Sequence, residues 1–345
     1  MKHIKLNFIC FVLLSLAGCF KTVHNDIPVA QIAMQSEQRE QEAHKYYEQA
    51  QREESLGDYE SAVKGYSIIC KSYLETRIAP YAFHACGHCF CALNRYEQAF
   101  EKFRFITKNY LTYKAYDTVV KEEFEVACHL MQNFQRSKKR SRFLSLFKDA
   151  SPVIECFNHI ITMAPHSKDA PRALYFMAQL EFKEGDKVKA IEALDRLIEN
   201  YPSDEKIGDA YLLKAEIYLS FVNSAENDQG MTQKAIECYE DFLQIFGKNP
   251  DFATKIKEAK EGLLAAKNLY AQSRLALGDF FLYKRHYPEG AMVFYNEARL
   301  LSSGSFVETL ANQRMDFIQA DKPTPTNWAD KLFGKVVYKP SRTAK

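Results

Sequence analysis

The stretch at residues 46–74, YYEQAQREESLGDYESAVKGYSIICKSYL, decides the fold of this chain. Apolar and small residues recur at helical spacing before Gly57, among them Ala50, and again after it, with Ala62 and Tyr66. A glycine between two such segments is typical of a tight turn. We therefore predict two helices joined by a turn, with small residues where the backbones approach and aromatic rings filling the remaining space.

This pattern resembles one unit of a tetratricopeptide repeat and returns along most of the chain. The small residue of the second helix falls at positions 62, 99, 153, 190, 235 and 291. Repeat units have about 34 residues, and the larger spacings place insertions at 133–150 and 223–232 and an extended helix at 251–275.

A single unit cannot bury its apolar face, so units must stack. We predict an all-α, tetratricopeptide-repeat superhelical solenoid of about five to six helix-turn-helix units over residues 39–305, and a largely disordered tail at 306–345.

Composition agrees with a helical protein of ordinary charge. The 345 residues are 47% hydrophobic and include only 13 Gly and 11 Pro, which favours helices over turn-rich β structure. With Lys2 and Lys5 set aside, basic and acidic residues balance at 44 each. A neutral chain of this kind is not a general nucleic-acid binder.

The N-terminus is typical of an exported protein. Lys2 and Lys5 precede the apolar run of 11 residues at 6–16. The run is too short for a transmembrane helix, which needs about 20 residues, and its basic start is that of a secretory signal. We predict a signal peptide at residues 1–18.

The residues that follow the apolar run resemble a bacterial lipobox. Leu16-Ala17-Gly18 precede Cys19, whose thiol would carry the lipid after cleavage. Two or more acyl chains give stable anchoring. We predict that Cys19 is lipidated and that residues 19–38 form a flexible tether. Phe20 stands where Asp would retain a lipoprotein at the inner membrane, so the resemblance implies the periplasmic face of the outer membrane.

The order of lipobox, tether and repeats, with a long helix before the last repeat, resembles the BamD family of outer-membrane β-barrel assembly lipoproteins. Residues 79–110 and 268–298 carry the resemblance, which covers roughly residues 40–305. It implies a scaffold that binds the membrane-embedded barrel subunit (BamA-like), other assembly lipoproteins and unfolded outer-membrane proteins. The insertion at 133–150 and the tail depart from the family pattern.

Two sets of residues are candidate binding residues. The first helix of each unit lines the concave face of such a stack, where exposed aromatics would bind an extended peptide; helical phase places Tyr47, Glu54 and His84 there. The second set is the basic run Arg136, Lys138, Lys139 and Arg140. It is either a solvated loop or a contact for anionic lipid heads or an acidic partner.

The segment Cys86-Gly87-His88-Cys89 has the spacing of a redox or metal motif. Its position inside a helix argues against redox chemistry, which needs a helix N-terminus after a strand. Cys91, His84 and His88 nearby also suggest a metal site, but Cys86 and Cys89 are three residues apart, so they could chelate zinc only with help from elsewhere. Packed cysteines, a structural disulfide or metal, and catalysis therefore stay as alternatives, and we predict no metal and no cofactor.

The sequence carries few signals for functions other than a scaffold. The chain has no nucleotide-binding loop, HExxH helix or G-x-S-x-G turn, so we predict no enzyme. The alternatives to the assembly scaffold are a repeat lipoprotein that organises envelope division or peptidoglycan enzymes, and a thiol-active periplasmic protein.

Overall fold

The computed structural model describes residues 29–140, 149–222 and 229–320, with only the backbone for 29–33 and 138–140. Within these ranges the chain forms thirteen α-helices and no strand. They are Val29–Ser55 (α1), Tyr59–Ser72 (α2), Ala79–Ala92 (α3), Tyr96–Asn109 (α4), Tyr116–Arg140 (α5), Ser151–Met163 (α6), Ala170–Glu184 (α7), Lys187–Asn200 (α8), Ile207–Ser220 (α9), Gln229–Phe246 (α10), Ala253–Asp279 (α11), Pro288–Leu301 (α12) and Phe306–Gln319 (α13). A 3₁₀ turn at Pro250–Phe252 precedes α11, and a π-helical turn at Phe280–Lys284 follows it.

The helices form six successive hairpins, α1–α2 to α11–α12, and α13 covers the last one. Each helix packs on the one before it and the one after it. The second helices bury the repeating small residues that the sequence predicted: Ala62, Ala99, Ala190, Ala235 and Ala291 are all fully buried. The prediction of an all-α repeat solenoid is confirmed.

The turns inside the hairpins follow from residues that accept unusual backbone angles. Gly57 and Gly185 have φ values of 79° and 94°, and Asn94 has a φ of 58°; glycine and asparagine adopt this left-handed conformation most easily. The Asp58 and Asp186 carboxylates then cap the next helix by accepting from the backbone N–H three residues later, each at 3.1 Å. One turn sequence thus ends one helix and begins the next.

Three sequence-based boundaries were wrong. α1 begins at Val29, so the segment 29–38 is helical and not tether. Helix α13 lies in the segment that was expected to be a disordered tail. The extended helix and the first helix of the sixth unit are one helix, α11, because no turn residue separates them before the π-helical segment.

Two predicted segments are described only in part. The insertion at 133–150 begins as the last turns of α5, which runs to Arg140. The signal peptide, Cys19 and most of the predicted tail lie outside the described residues.

Candidate functional site

The first helices of the first three hairpins present one connected set of polar and aromatic side chains, here called the N-terminal surface. It consists of Tyr47 and Glu54 on α1, Tyr81, His84 and His88 on α3, Tyr113 in the turn before α5, and Glu122 on α5. Three of these residues, Tyr47, Glu54 and His84, were predicted as binding residues. The structure brings them together with four others.

Helix α3 supplies the middle of this surface because its sequence separates two faces. Tyr81, His84 and His88 are three and four residues apart and therefore share one side of the helix. Phe83 and Gly87 lie on the buried side, where Gly87 leaves room for the ring of Phe103 on α4. The sequence PYAFHACGHCF thus fixes which residues of α3 stay accessible.

Glu54 is held by a tyrosine of the neighbouring helix. The buried Tyr66 of α2 donates its hydroxyl to Glu54 Oε2 at 2.7 Å. The Tyr47 ring lies 5.4 Å from the Tyr66 ring. Burial, and then the charge of Glu54, raise the pKa of Tyr47. The phenol of Tyr47 therefore stays neutral, and its ring packs against Tyr66.

Tyr81 and Tyr113 form the aromatic part of the surface. Their rings meet edge to face with centroids 5.0 Å apart, a favourable arrangement for aromatic pairs. Tyr81 is 41% exposed and Tyr113 is buried. Burial raises the pKa of Tyr113 to about 12. Tyr81 is thus a rigidly supported ring that remains free on one side for a ligand.

His84, His88 and Glu122 converge on one point of the surface. His84 Nε2 lies 2.6 Å from Glu122 Oε2, and His88 Nε2 lies 3.0 Å from the same oxygen. The other ring nitrogen of His84 is 3.0 Å from the Tyr113 hydroxyl. A carboxylate of the third hairpin is therefore bound by two imidazoles of the second.

The charges of this cluster are coupled. Burial acts to raise the pKa of Glu122, but hydrogen bonds from His84 and His88 outweigh it and lower the pKa to about 2. The hydrogen bond to Glu122 raises the pKa of His88, against the opposing effect of burial. Glu122 is consequently a carboxylate at any physiological pH.

The cysteines give no reactive pair. All seven in the described residues are free, and Cys86 and Cys89 are fully buried in the middle of α3. Burial raises the pKa of Cys89 to about 12. A hydrogen bond with Cys70 lowers the pKa of Cys86, but its sulfur has no access to solvent. The structure favours the packed-cysteine alternative.

The predicted basic run is only partly described. Arg136 is exposed on α5, and Lys138, Lys139 and Arg140 continue the helix, although their side chains lie outside the described part. The run is separate from the N-terminal surface in sequence, and its binding role stays a prediction. None of the helices in the described residues is long and apolar enough to span a membrane.

Sequence reasoning missed Tyr81, Tyr113 and Glu122 as members of the surface. Tyr81 could have been found, since it lies three residues before His84 on the same helix. Glu122 is 38 residues away from His84, and the sequence carries no pattern that joins them.

Comparisons with known proteins agree with this fold. Residues 146–293 match YfiO, a family described as outer membrane lipoprotein. A comparison with curated proteins found no match.

Solved structures that resemble the chain are repeat proteins of low identity. The C-terminal part of a TPR repeat-containing protein from Cytophaga hutchinsonii is 16% identical, with 78% of this chain and 99% of that chain covered and a TM-score of 0.27. A tetratricopeptide repeat protein from Parabacteroides merdae is 12% identical, with 81% and 99% covered and a TM-score of 0.32. A thermophilic TPR protein from Thermus thermophilus is 16% identical, with 64% and 99% covered and a TM-score of 0.29.

These TM-scores are low, and the repeat fold of this chain rests on its own helices and turns. The family match covers the helices from α6 into α12 and starts inside the predicted insertion. The resemblance to the BamD family of outer membrane lipoproteins is therefore confirmed over residues 146–293.

Proposed function

We propose that this chain is a lipid-anchored periplasmic scaffold of the outer-membrane β-barrel assembly machinery. The observation that carries the proposal is the match of residues 146–293 to the outer membrane lipoprotein family. The stacked hairpins support it, since repeat solenoids of this kind act by protein–protein interaction. The mechanism is binding, without a covalent step.

The two ends of the stack have different roles in this proposal. The C-terminal hairpins, which carry the family match, bind the periplasmic part of the membrane-embedded barrel subunit. The N-terminal surface receives unfolded outer-membrane proteins. Tyr81 supports this second role because an exposed ring held by its neighbours binds an extended chain at low ordering cost.

The lipid anchor at Cys19 has its own test. Cys19→Ala should release the protein from membranes, because the variant lacks the thiol that would carry the acyl chains. Fractionation of cells with antibody detection measures this. Continued tight membrane association of the variant would contradict the lipid anchor and leave the fold unchanged.

The assembly role is tested by depletion and by capture. Depletion should lower the levels of outer-membrane barrel proteins broadly, and normal levels would contradict the proposal. Capture from gently solubilised membranes should bring down a barrel protein with repeated periplasmic domains in stoichiometric amount. If division or cell-wall enzymes are captured instead, the assembly role is wrong, whereas the fold and the lipid anchor are unaffected.

The substrate role of the N-terminal surface is tested by site-specific crosslinking. A photo-crosslinking amino acid at Tyr81 should capture unfolded outer-membrane proteins in cells. Val188, which is 60% exposed on α8, is the matched control on a second helix of a hairpin, and a probe there should capture none. Equal capture of unfolded outer-membrane proteins at both positions would contradict specific binding at the N-terminal surface.

The basic run has a separate proposed role, as a contact for anionic lipid heads. Replacing Arg136, Lys138, Lys139 and Arg140 by Gln should weaken flotation of the unlipidated protein with vesicles that contain anionic lipid, because each basic residue contributes about 1 kcal/mol near such a surface. Vesicles of neutral lipid are the control. Unchanged flotation would indicate a solvated segment.

A further inference from the structure

We propose that His84, His88 and Glu122 form a binding site for a divalent transition-metal ion, with Zn²⁺ as the preferred ion. Glu122 on α5 adds a carboxylate ligand to the two histidines of α3. The inference does not depend on the assembly role.

The histidine pair has the spacing of a helical chelate. His84 and His88 are four residues apart on α3, the arrangement by which two imidazoles on one helix face bind zinc. Glu122 on α5 points at them from the next hairpin. One ligand atom from each of the three residues lies within 4.8 Å of the others.

The distances are close to those of a bound ion. Zinc–nitrogen and zinc–oxygen bonds of about 2.0–2.1 Å in a tetrahedron place ligand atoms roughly 3.3 Å apart. The two nitrogen-to-oxygen distances are 2.6 and 3.0 Å. The ion would fit if the three ligand atoms moved apart by well under 1 Å, a shift that side-chain rotation can supply.

The surroundings hold the ligands in orientation. The Tyr113 hydroxyl contacts His84 Nδ1 at 3.0 Å, the kind of outer contact that fixes the tautomer of a metal-binding histidine. The buried Phe103 ring lies with its centroid 5.9 Å from both imidazole rings. Because Gly87 leaves space for this ring, both imidazoles are supported from the same side.

The donor set indicates the ion and its coordination. Two imidazoles and one carboxylate suit zinc better than the hard ions Mg²⁺ and Ca²⁺, which prefer oxygen ligands. Three protein ligands leave the fourth tetrahedral position open. The His88 side chain is 46% exposed, so this position faces solvent and can take water or a side chain of a bound partner. The ion would also join the second and third hairpins.

The test uses the untagged full-length chain, stripped of metal by a chelator and titrated with Zn²⁺ by calorimetry. We expect saturable binding of one ion and a higher unfolding midpoint in its presence. His88→Ala and Glu122→Gln should each weaken binding by at least about tenfold, since each removes a direct ligand. His88→Ala removes a ring contact with Phe103, whereas Glu122→Gln keeps the shape of the side chain, and circular dichroism verifies that both variants fold.

Matched controls lie on α5, the helix that carries Glu122. His129→Ala and Glu125→Gln remove exposed residues of the same types from α5 and should leave binding unchanged. Cobalt(II) serves as a spectroscopic probe: the wild-type chain should give tetrahedral visible bands without near-ultraviolet charge transfer from sulfur.

Three results would overturn the proposal. The first is no saturable Zn²⁺ binding, in which case the cluster is a hydrogen-bonded network only. The second is binding that both ligand variants leave unchanged. The third is a cobalt spectrum with sulfur charge transfer, which would assign the ion to the free cysteines.

Discussion

At the residue scale, the second and sixth hairpins each place a glycine opposite a large ring. A Cβ placed on Gly87 would lie 2.3 Å from Phe103 Cε1, and one on Gly278 would lie 2.4 Å from Tyr295 Cε1. Both rings are almost fully buried. The small positions are therefore set by the close approach of two helices, and added volume there has no space to occupy.

Gly87→Ala should lower the free energy of unfolding by about 1–3 kcal/mol, because the added methyl group overpacks the contact with Phe103. Urea denaturation measures the change. Gly230→Ala is the control, since a Cβ at Gly230 meets nothing within 4 Å. Equal stability of wild type and Gly87→Ala would show that the ring shifts freely.

A second residue-scale feature is a buried polar cluster between α4, α5 and α6. Thr107 Oγ1 lies 3.0 Å from His159 Nε2 and donates to Glu123 Oε2 at 3.3 Å. Burial, with Arg104 and Lys108 adding to it, lowers the pKa of His159 to about 4. Burial raises the pKa of Glu123 to about 8. The cluster is therefore built from neutral side chains.

His159 should make stability fall in acid. Its folded-state pKa is lower than the unfolded value of about 6.5, so its contribution is complete above pH 6.5 and is lost as pH falls towards 4. Relative to His159→Gln, the wild type should lose on the order of 1–2 kcal/mol between pH 7 and pH 4.5. Urea unfolding of both proteins at both pH values measures this difference. A pH-independent difference would mean that His159 is solvated.

At the element scale, α13 is the one helix that sequence analysis assigned to the tail. Ser305 caps it by accepting from the backbone N–H groups of Val307 and Glu308. Glu308 in turn accepts from the Gly304 N–H, close to a capping box. Val307 and Ala311 are buried against the last hairpin. The helix is thus part of the folded stack and closes its C-terminal end.

An ion pair attaches α13 to α11. Arg314 Nε lies 3.2 Å from Asp279 Oδ1, and both side chains are less than 20% exposed. Arg314→Ala should destabilise the protein by about 3 kcal/mol, because the buried carboxyl group of Asp279 loses its ion-pair partner and keeps only the hydrogen bond from Tyr295. Thermal unfolding and the rate of proteolysis within α13 measure the effect.

The exposed pair Lys257–Glu261, with side chains 80% and 70% exposed, is the matched control for Arg314. Lys257→Ala should change stability by less than about 0.5 kcal/mol. If both substitutions had the same small effect, α13 would not depend on its ion pair.

At the scale of the whole molecule, the free cysteines of the described residues lie in the first, second, third and fifth hairpins. Cys70, Cys86, Cys89 and Cys238 are buried, and Cys91, Cys128 and Cys156 are half-buried. They act as small apolar side chains in the stack. Their number reflects packing and not a disulfide framework.

Alkylation without reductant should therefore label all seven in denaturant, and leave the four buried ones largely unlabelled in the native protein. The physical reason is lack of access, together with burial that raises the pKa of Cys89 to about 12 and that of Cys238 to about 11. Peptide mapping by mass spectrometry identifies the labelled residues. A cystine-linked peptide from the unreduced protein would contradict this reading.

The sequence alone determined the fold class, the hairpin order and the main turns, because these are local properties. Apolar periodicity defines each helix, and Gly57-Asp58 and Gly185-Asp186 define turns within a few residues. The start of α1 was missed although its first turns carry the apolar residues Val29, Ile32 and Met34, because the segment after the lipobox was assigned to a tether from its position alone. Helix α13 was missed although its capping residues were visible, since its apolar face is narrow.

Only the tertiary structure decided the composition of the candidate site. Helical spacing placed Tyr47, Glu54 and His84 on first helices, but could not show that Glu122 meets the two histidines. The contact between α3 and α5 depends on how one hairpin is rotated against the next, and that rotation is set by packing between the hairpins, such as the stacking of the Tyr96 ring on His129. Residues far apart in the chain become one surface for this reason, and no local pattern records it.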